Sequence, residues 1–192
     1  MVIRNVLFLA FLLAYVTVGY SQNPCFNINN LKRITGSGVI SSPDEKIDKL
    51  AVLFLNDECP ICRHYTPDLE GLDSLCRSVG VTLIGVFSGR YSKKGIKEFA
   101  KKYGILIPLY HDKKTTFAAS VAAQVTPEIF LIDCVNQKIL YQGLIDDSYV
   151  DLGVRKSTVK NHYFADALSM NHAGSDNFVA CTRAIGCMIQ LK

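Results

Sequence analysis

Six consecutive apolar residues, Leu50 to Leu55, run straight into Asn56-Asp-Glu-Cys-Pro-Ile-Cys62. An unbroken apolar run of this length reads as a strand covered on both faces, hence a central one. Beyond the junction the pattern changes. Ile61, Tyr65, Leu69, Leu72, Cys76 and Val79 recur in steps of four and three, which marks one face of a helix. A chain that passes so abruptly from a doubly covered strand to an amphipathic helix requires a layered α/β arrangement. Cys59 and Cys62 stand three apart at that turning point.

Their position carries chemistry. A Cys59 that caps the helix places its sulfur beside backbone N–H groups with no intrahelical partner, and these favour a thiolate. Pro60 then occupies the first helical position, where its missing N–H is no loss. Cys62 lies almost one turn on, close enough to close a disulfide. Cys59 is therefore expected to attack a disulfide, and Cys62 to resolve the mixed disulfide that results. A structural disulfide or half of a zinc site are the alternatives, but a zinc site wants a second ligand pair. The chain has neither a second Cys-x-x-Cys nor a His-x-x-x-His. Asp57 and Glu58 tune the site in the opposite sense. Two carboxylates beside Cys59 disfavour its thiolate, which predicts an anion less stabilised than in strong oxidants, suited to a reductant or isomerase.

Residues 1–21 read as a secretory signal peptide, with Arg4 in the n-region, an apolar stretch from Val6 to Val18, and Gly19 and Ser21 before the expected cleavage. That stretch is short for a membrane span. The expected location is exported, periplasmic or otherwise extracytoplasmic, with membrane contact only through the leader. Seven cysteines in an exported chain imply an oxidising setting. The net charge of +4 includes Arg4, and the lysines are spread as on a solvated helix face, so no nucleic-acid partner is expected. No nucleotide or flavin motif is present, so the redox cofactor is the Cys59–Cys62 disulfide itself. Electrons then come from an external thiol reductant, with protein thiols or disulfides as substrates.

In chain order, residues 22–49 read as an extension with edge strands or loop, and residues 50–170 as one domain. Within it come the strand Ala51 to Leu55, the Cys-x-x-Cys helix kinked at Pro67 and stopped by Gly80, and the strand Val81 to Phe87. A helix from Lys93 to Tyr103 follows, capped by Ser92 and ended by Gly104. Next are an apolar segment Ile105 to Tyr110 with a turn at His111-Asp112, and a short helix Thr115 to Ala123. Pro127, a strand Ile129 to Ile132, and a hairpin return at Ile139 to Tyr141 come after. A loop from Ile145 to Lys156 leads to a last helix from Ser157 or Thr158 through Met170, with Phe164 and Leu168 inward. Residues 171–192 are expected to be an irregular tail.

By element order as well as motif this is a thioredoxin-like fold, a central mixed β-sheet flanked by helices with N- and C-terminal extensions. In such a fold Pro127 is a cis-proline facing the cysteine pair, and Thr126 offers its backbone to a bound peptide.

Three stretches, between roughly Leu50 and Ile189, resemble the redoxin branch of the thioredoxin-like superfamily, exported proteins between the peroxiredoxin-like (AhpC/TSA) and TlpA/ResA-like enzymes. They are Phe54 to Ile61 with Tyr65, Pro67 and Leu69; Val125 to Asp133 with Tyr141 to Asp147; and Thr182 to Ile189. The resemblance implies thiol redox activity at Cys59, antioxidant activity among its forms. Tyr65 stands where TlpA/ResA-like proteins usually have Glu, and Asn56 where peroxiredoxins usually have Thr. A thiol-disulfide oxidoreductase is thus the leading expectation and a thiol-dependent peroxidase the alternative. A Sco-like copper protein, with His111 beside the two thiolates, is a distant third, and no metal is expected. Cys187 is assigned a structural disulfide with Cys181; a buried thiol, or a resolver reaching Cys59 from the tail, are its other readings.

Overall fold

The structure, a computed structural model, describes residues 25–36, 47–172 and 180–191. The signal peptide expected over residues 1–21 lies outside them. After a 3-10 turn at Cys25–Asn30 come β1 (Lys32–Thr35), β2 (Lys49–Leu55), α1 (Pro60–Tyr65), α2 (Leu69–Ser78), β3 (Thr82–Ser88), α3 (Lys93–Tyr103) and β4 (Leu109–Asp112). Then follow α4 (Thr116–Ser120), β5 (Val125–Thr126), β6 (Glu128–Asp133), β7 (Lys138–Gly143), β8 (Tyr149–Asp151), β9 (Val154–Arg155), α5 (Tyr163–His172), β10 (Ala180–Cys181) and β11 (Cys187–Met188).

Among the described residues the main sheet runs β1-β4-β3-β2-β6-β7-β10. β2 is parallel to β3, and β3 to β4, while β6 pairs antiparallel with β2 and β7 antiparallel with β6. The sheet is therefore mixed, with β2 at its centre. The apolar run divides as period-two geometry requires. Ala51, Leu53 and Leu55 enter one core with Leu69, Phe99 and Phe164; Leu50, Val52 and Phe54 enter the other with Phe117 and Phe130. Phe54 packs against Phe117 and edge-on against Phe130, centroids 5.9 and 5.5 Å away. This two-sided burial positions the C-terminal end of β2, where the cysteines begin.

The helix after Cys59 keeps its face through the break at Pro67. A 3-10 turn, Thr66–Asp68, separates α1 from α2, and Ile61, Tyr65, Leu69 and Cys76 stay buried. Gly80 adopts φ +72°, the left-handed stop the sequence called for. α3 is capped as expected, Ser92 Oγ accepting from Gly95 N at 2.9 Å.

Four expectations are corrected. His111 and Asp112 are not a turn; they close β4 and are buried. Asp112 is tolerated there because Oδ2 accepts from Ser88 Oγ and from Ala118 N, both at 2.9 Å. Residues 145–156 are not all loop, since β8 and β9 form a small hairpin. The last helix starts at Tyr163 rather than near Ser157. Residues before it are drawn instead around Asp147, whose carboxylate accepts from Lys156 Nζ at 2.7 Å, Lys160 N at 2.8 Å and Asn161 N at 3.1 Å. Those donors hold its carboxyl well below the usual carboxylate range, the lysine first. Finally, the tail is not irregular throughout, because β10 extends the main sheet beside β7 and β11 pairs with β5. No helix among the described residues is long and apolar enough to cross a membrane.

Replacing Ser92 with Ala removes the α3 cap and is expected to lower stability by about 1 kcal/mol. Urea denaturation of the reduced protein checks this, with Cys59 reactivity unchanged.

Candidate active site

The two cysteines, Thr126 and Pro127 converge. Cys59 is the N-cap of α1, with extended backbone (φ −74°, ψ 118°) and Pro60 immediately inside the helix. Its carbonyl accepts the first helical bond, from Arg63 N at 3.1 Å. The Thr126–Pro127 peptide bond is cis. β2 pairs with β6 in the register Phe54↔Glu128, which brings the segment just before β6 against the strand end that carries Cys59. The Cys59 thiol donates to Thr126 O at 3.1 Å.

Several donors wait for the ionised sulfur. The Cys62 side chain hydrogen-bonds Cys59, and so does its backbone N–H, one of the free amides of the helix start. The thiol and backbone N–H of Cys187 add two more. Together they outweigh burial, with the Cys62 thiol contributing most, and lower the Cys59 pKa from about 9 to about 5. Cys62 is fully buried, and desolvation first, then the neighbouring Cys59 anion, push its thiol well above the ordinary value. The pair is thus divided into a sulfur that favours the thiolate and a partner that keeps its proton.

Asp57 and Glu58 are not among the largest influences on Cys59, whose pKa is lowered. The local chain explains this. Glu58 is exposed, and its N–H donates to Asn56 Oδ1 at 2.8 Å, so the turn is closed by an amide rather than a carboxylate. Asp57 is tied by its backbone carbonyl, which accepts from Arg63 Nε at 2.9 Å. Both side chains line a cavity of about 530 Å³ beside the site, shared with Asn56, Tyr91, Thr126 and Met188. Desolvation, then Asp57, raise the Tyr91 phenol above its ordinary value.

The disulfide assigned to Cys181 and Cys187 is not formed; both are free thiols. Sheet geometry separates them. Cys181 lies exposed on β10 opposite Gln142, whereas Cys187 lies on β11 opposite Thr126, packed against the core that holds Cys59. Cys76 is a buried free thiol on the helix face, as its periodicity indicated, while Cys134 is in a disulfide. His111 does not turn to the cysteines. Its Nε2 lies 3.0 Å from Gly89 O. Among the described residues no three His, Cys, Asp or Glu side chains are grouped to hold a metal ion. Tyr65, at the position of the TlpA/ResA glutamate, is buried and donates to Asp146 at 2.5 Å.

Glu128 was passed over as part of a motif. It is buried, and its carboxylate accepts from Gln124 N at 2.8 Å and from Gln142 Nε2 at 2.9 Å, which holds β5 in place beneath the cysteines. A charged residue opening an otherwise apolar strand was the available signal.

Because the folded pKa of Cys59 lies below its ordinary value, ionisation stabilises the reduced fold. That contribution is complete above about pH 9 and is lost as pH falls through about 5. Alkylation of Cys59 by iodoacetamide should therefore rise with a midpoint near pH 5. In Cys62→Ala the midpoint should move up, because the largest stabilising bond is gone. Mass spectrometry of peptides alkylated across a pH series checks both.

Solved structures match this architecture. An uncharacterized conserved protein from Geobacillus kaustophilus superposes with a TM-score of 0.67 at 24% identity, covering 84% of this chain and 87% of that one. A hypothetical protein from Sinorhizobium meliloti 1021 gives 0.60 at 23%, covering 76% and 81%. A candidate thiol:disulfide interchange protein DsbE from Chlorobium tepidum gives 0.51 at 17%, covering 76% and 92%. No curated protein matches the chain. At these identities the likeness establishes the thioredoxin-like fold. The Redoxin family model matches residues 38–153, more than half of the chain, and the chain belongs to the redoxin family.

Proposed function

We propose that the protein is an exported thiol-disulfide oxidoreductase that works by dithiol-disulfide exchange at Cys59 and Cys62. The observation that carries this reading is the position of the Cys59 sulfur. It sits at a helix start, bonded to the Cys62 thiol and N–H, and 3.1 Å from the carbonyl that precedes the cis-proline. An anion held in that way is a nucleophile at neutral pH.

The exchange runs in two displacements. Cys59 thiolate attacks one sulfur of a substrate disulfide. A Cys59–substrate bond forms, and the other substrate sulfur leaves as a thiolate. Cys59 then carries no charge, so the electrostatic part of the Cys62 shift disappears and only desolvation still opposes its ionisation. Cys62 loses its proton to solvent or to the departing thiolate and attacks Cys59. The second substrate thiol is released, and two electrons have passed from the dithiol to the substrate. An external thiol must return them.

Two features bear on direction and substrate. A strongly stabilised thiolate favours the reduced pair, which biases the protein toward accepting electrons or isomerising disulfides rather than acting as a strong reductant. Beside the tail strand, Val150, Leu152 and Met188 are 51%, 61% and 82% exposed and line one groove with Thr182 and Gly186. An apolar rim of that kind suits an extended protein substrate.

Cys59→Ser should abolish disulfide reduction. Cys62→Ser combined with Cys187→Ser, expressed with its leader, should accumulate mixed disulfides on Cys59, because neither neighbouring thiol is left to resolve them; mass spectrometry identifies the attached partners. If Cys59 instead carries sulfenic acid or its derivatives and no protein adducts, the peroxidase reading replaces this one.

A further inference from the structure

Both members of the cysteine pair have no exposed surface. What covers them is the end of the chain. β11 runs antiparallel to β5 in the register Cys187↔Thr126 and Met188↔Val125. Thr126 Oγ1 donates to Cys187 O at 3.3 Å, and Ile189 N donates to Gln124 O at 2.8 Å. The Thr126 side chain and the Gln124 carbonyl are groups on which a bound peptide strand would pair. The tail therefore occupies the peptide groove as an internal strand, and the residue it sets against the nucleophile is a cysteine.

The tail is built to lie there. Thr182 pins its start. Its N–H donates to Gln142 O at 2.9 Å, while its Oγ1 accepts from Leu144 N at 2.8 Å and lies 2.9 Å from Tyr141 OH. Gly186 crosses Thr126 so closely that a Cβ would collide with the Thr126 carbonyl, and only glycine permits the approach. Ile189 is buried in the second core cluster. Between Gly186 and Ile189 the backbone has little freedom, and Cys187 is held against Cys59. It is nevertheless only partly buried, unlike the pair.

We propose that Cys187 is a third redox-active thiol of this site, the relay through which an external thiol reaches the buried Cys59–Cys62 disulfide. The proposal rests on the thiol-disulfide reading given above. In the first step the Cys187 thiolate attacks Cys59 Sγ. The Cys59–Cys187 bond forms, the Cys59–Cys62 bond breaks, and Cys62 leaves with the electron pair and takes a proton from solvent in place of the one Cys187 gave up. No net oxidation occurs. In the second step an external thiolate attacks the accessible Cys187 sulfur. Cys59 leaves as the thiolate its donors stabilise, and lower-pKa thiols leave faster. A second thiol of the reductant then frees Cys187, so two electrons have entered and the reductant has become a disulfide.

Two measurements on the full chain test the relay. The Cys62→Ser variant is oxidised with glutathione disulfide, alkylated and cut with trypsin without reduction. Peptides 50–63 and 184–192, which then carry Cys59 and Cys187 as their only cysteines, should be found joined. In the natural chain, oxidised to the Cys59–Cys62 disulfide, Cys187→Ser should slow reduction by glutathione by about tenfold or more, because glutathione must then reach a sulfur of the buried pair directly. A glutathione adduct that persists on Cys59 with Cys187 alkylated, or an unchanged reduction rate, overturns the relay and leaves the oxidoreductase reading standing. Absence of any disulfide at Cys59 in either protein overturns both.

Discussion

A sulfur anion kept out of water must be surrounded by hydrogen-bond donors, and this requirement shapes everything near Cys59. A helix start supplies one backbone N–H, from Cys62, and the Cys62 thiol supplies another donor from the next turn. The remaining side is closed by the tail, through the thiol and N–H of Cys187. Thr126 stands at the centre of the cluster. Its carbonyl accepts from the protonated Cys59, and its side chain bonds both to Cys187 O and to Cys62. Two thiols from one helix start and a third from the far end of the chain therefore share one residue as their geometric reference.

The sheet makes that convergence possible. β2 must be covered on both faces to hold its C-terminal end rigid, and its two alternating sets of side chains fill the two cores. Antiparallel pairing with β6 then carries β5 back to the same end. Glu128 completes the arrangement from below, because its own buried carboxylate needs donors and finds them in Gln124 N and Gln142 Nε2. The charge beside the apolar sheet is thus a structural part of the segment that carries Thr126, engaged by hydrogen bonds.

Local signals were readable from the sequence because local physics produces them. Leu50 to Leu55, the face from Ile61 to Cys76, and the cap and stop at Ser92 and Gly104 each depend on neighbours within a turn or two. Features set by distant partners were not readable. How far Asp57 and Glu58 bear on Cys59 is one of them, because adjacency in sequence says nothing about which way a carboxylate faces. The Asn56 side chain takes the Glu58 amide, and Glu58 is left in solvent. Cys181 and Cys187 looked like a pair because only five residues separate them. Their strands join different partners, β7 and β5, and that divergence is a matter of tertiary pairing. The late start of α5 has the same origin, since Asp147 recruits Lys160 and Asn161 by long-range bonds that no helical pattern encodes.

The tail gives this redoxin a property that the cysteine motif alone would not. Because β11 is covalently attached and pinned at Thr182, it meets β5 at a high effective concentration. A peptide that docked along Val125 and Thr126 would have to compete with it for their backbone. Yet the internal strand is only two residues long, so few ladder bonds hold it and displacement is not prohibitive. Its grip rests on Gly186 fitting against Thr126 and on Ile189 reaching the core. The balance between these contacts and those of a substrate strand decides how often Cys59 is uncovered. Reactivity in this molecule is then the product of two terms, thiolate character set by the helix start and access set by the far end of the chain.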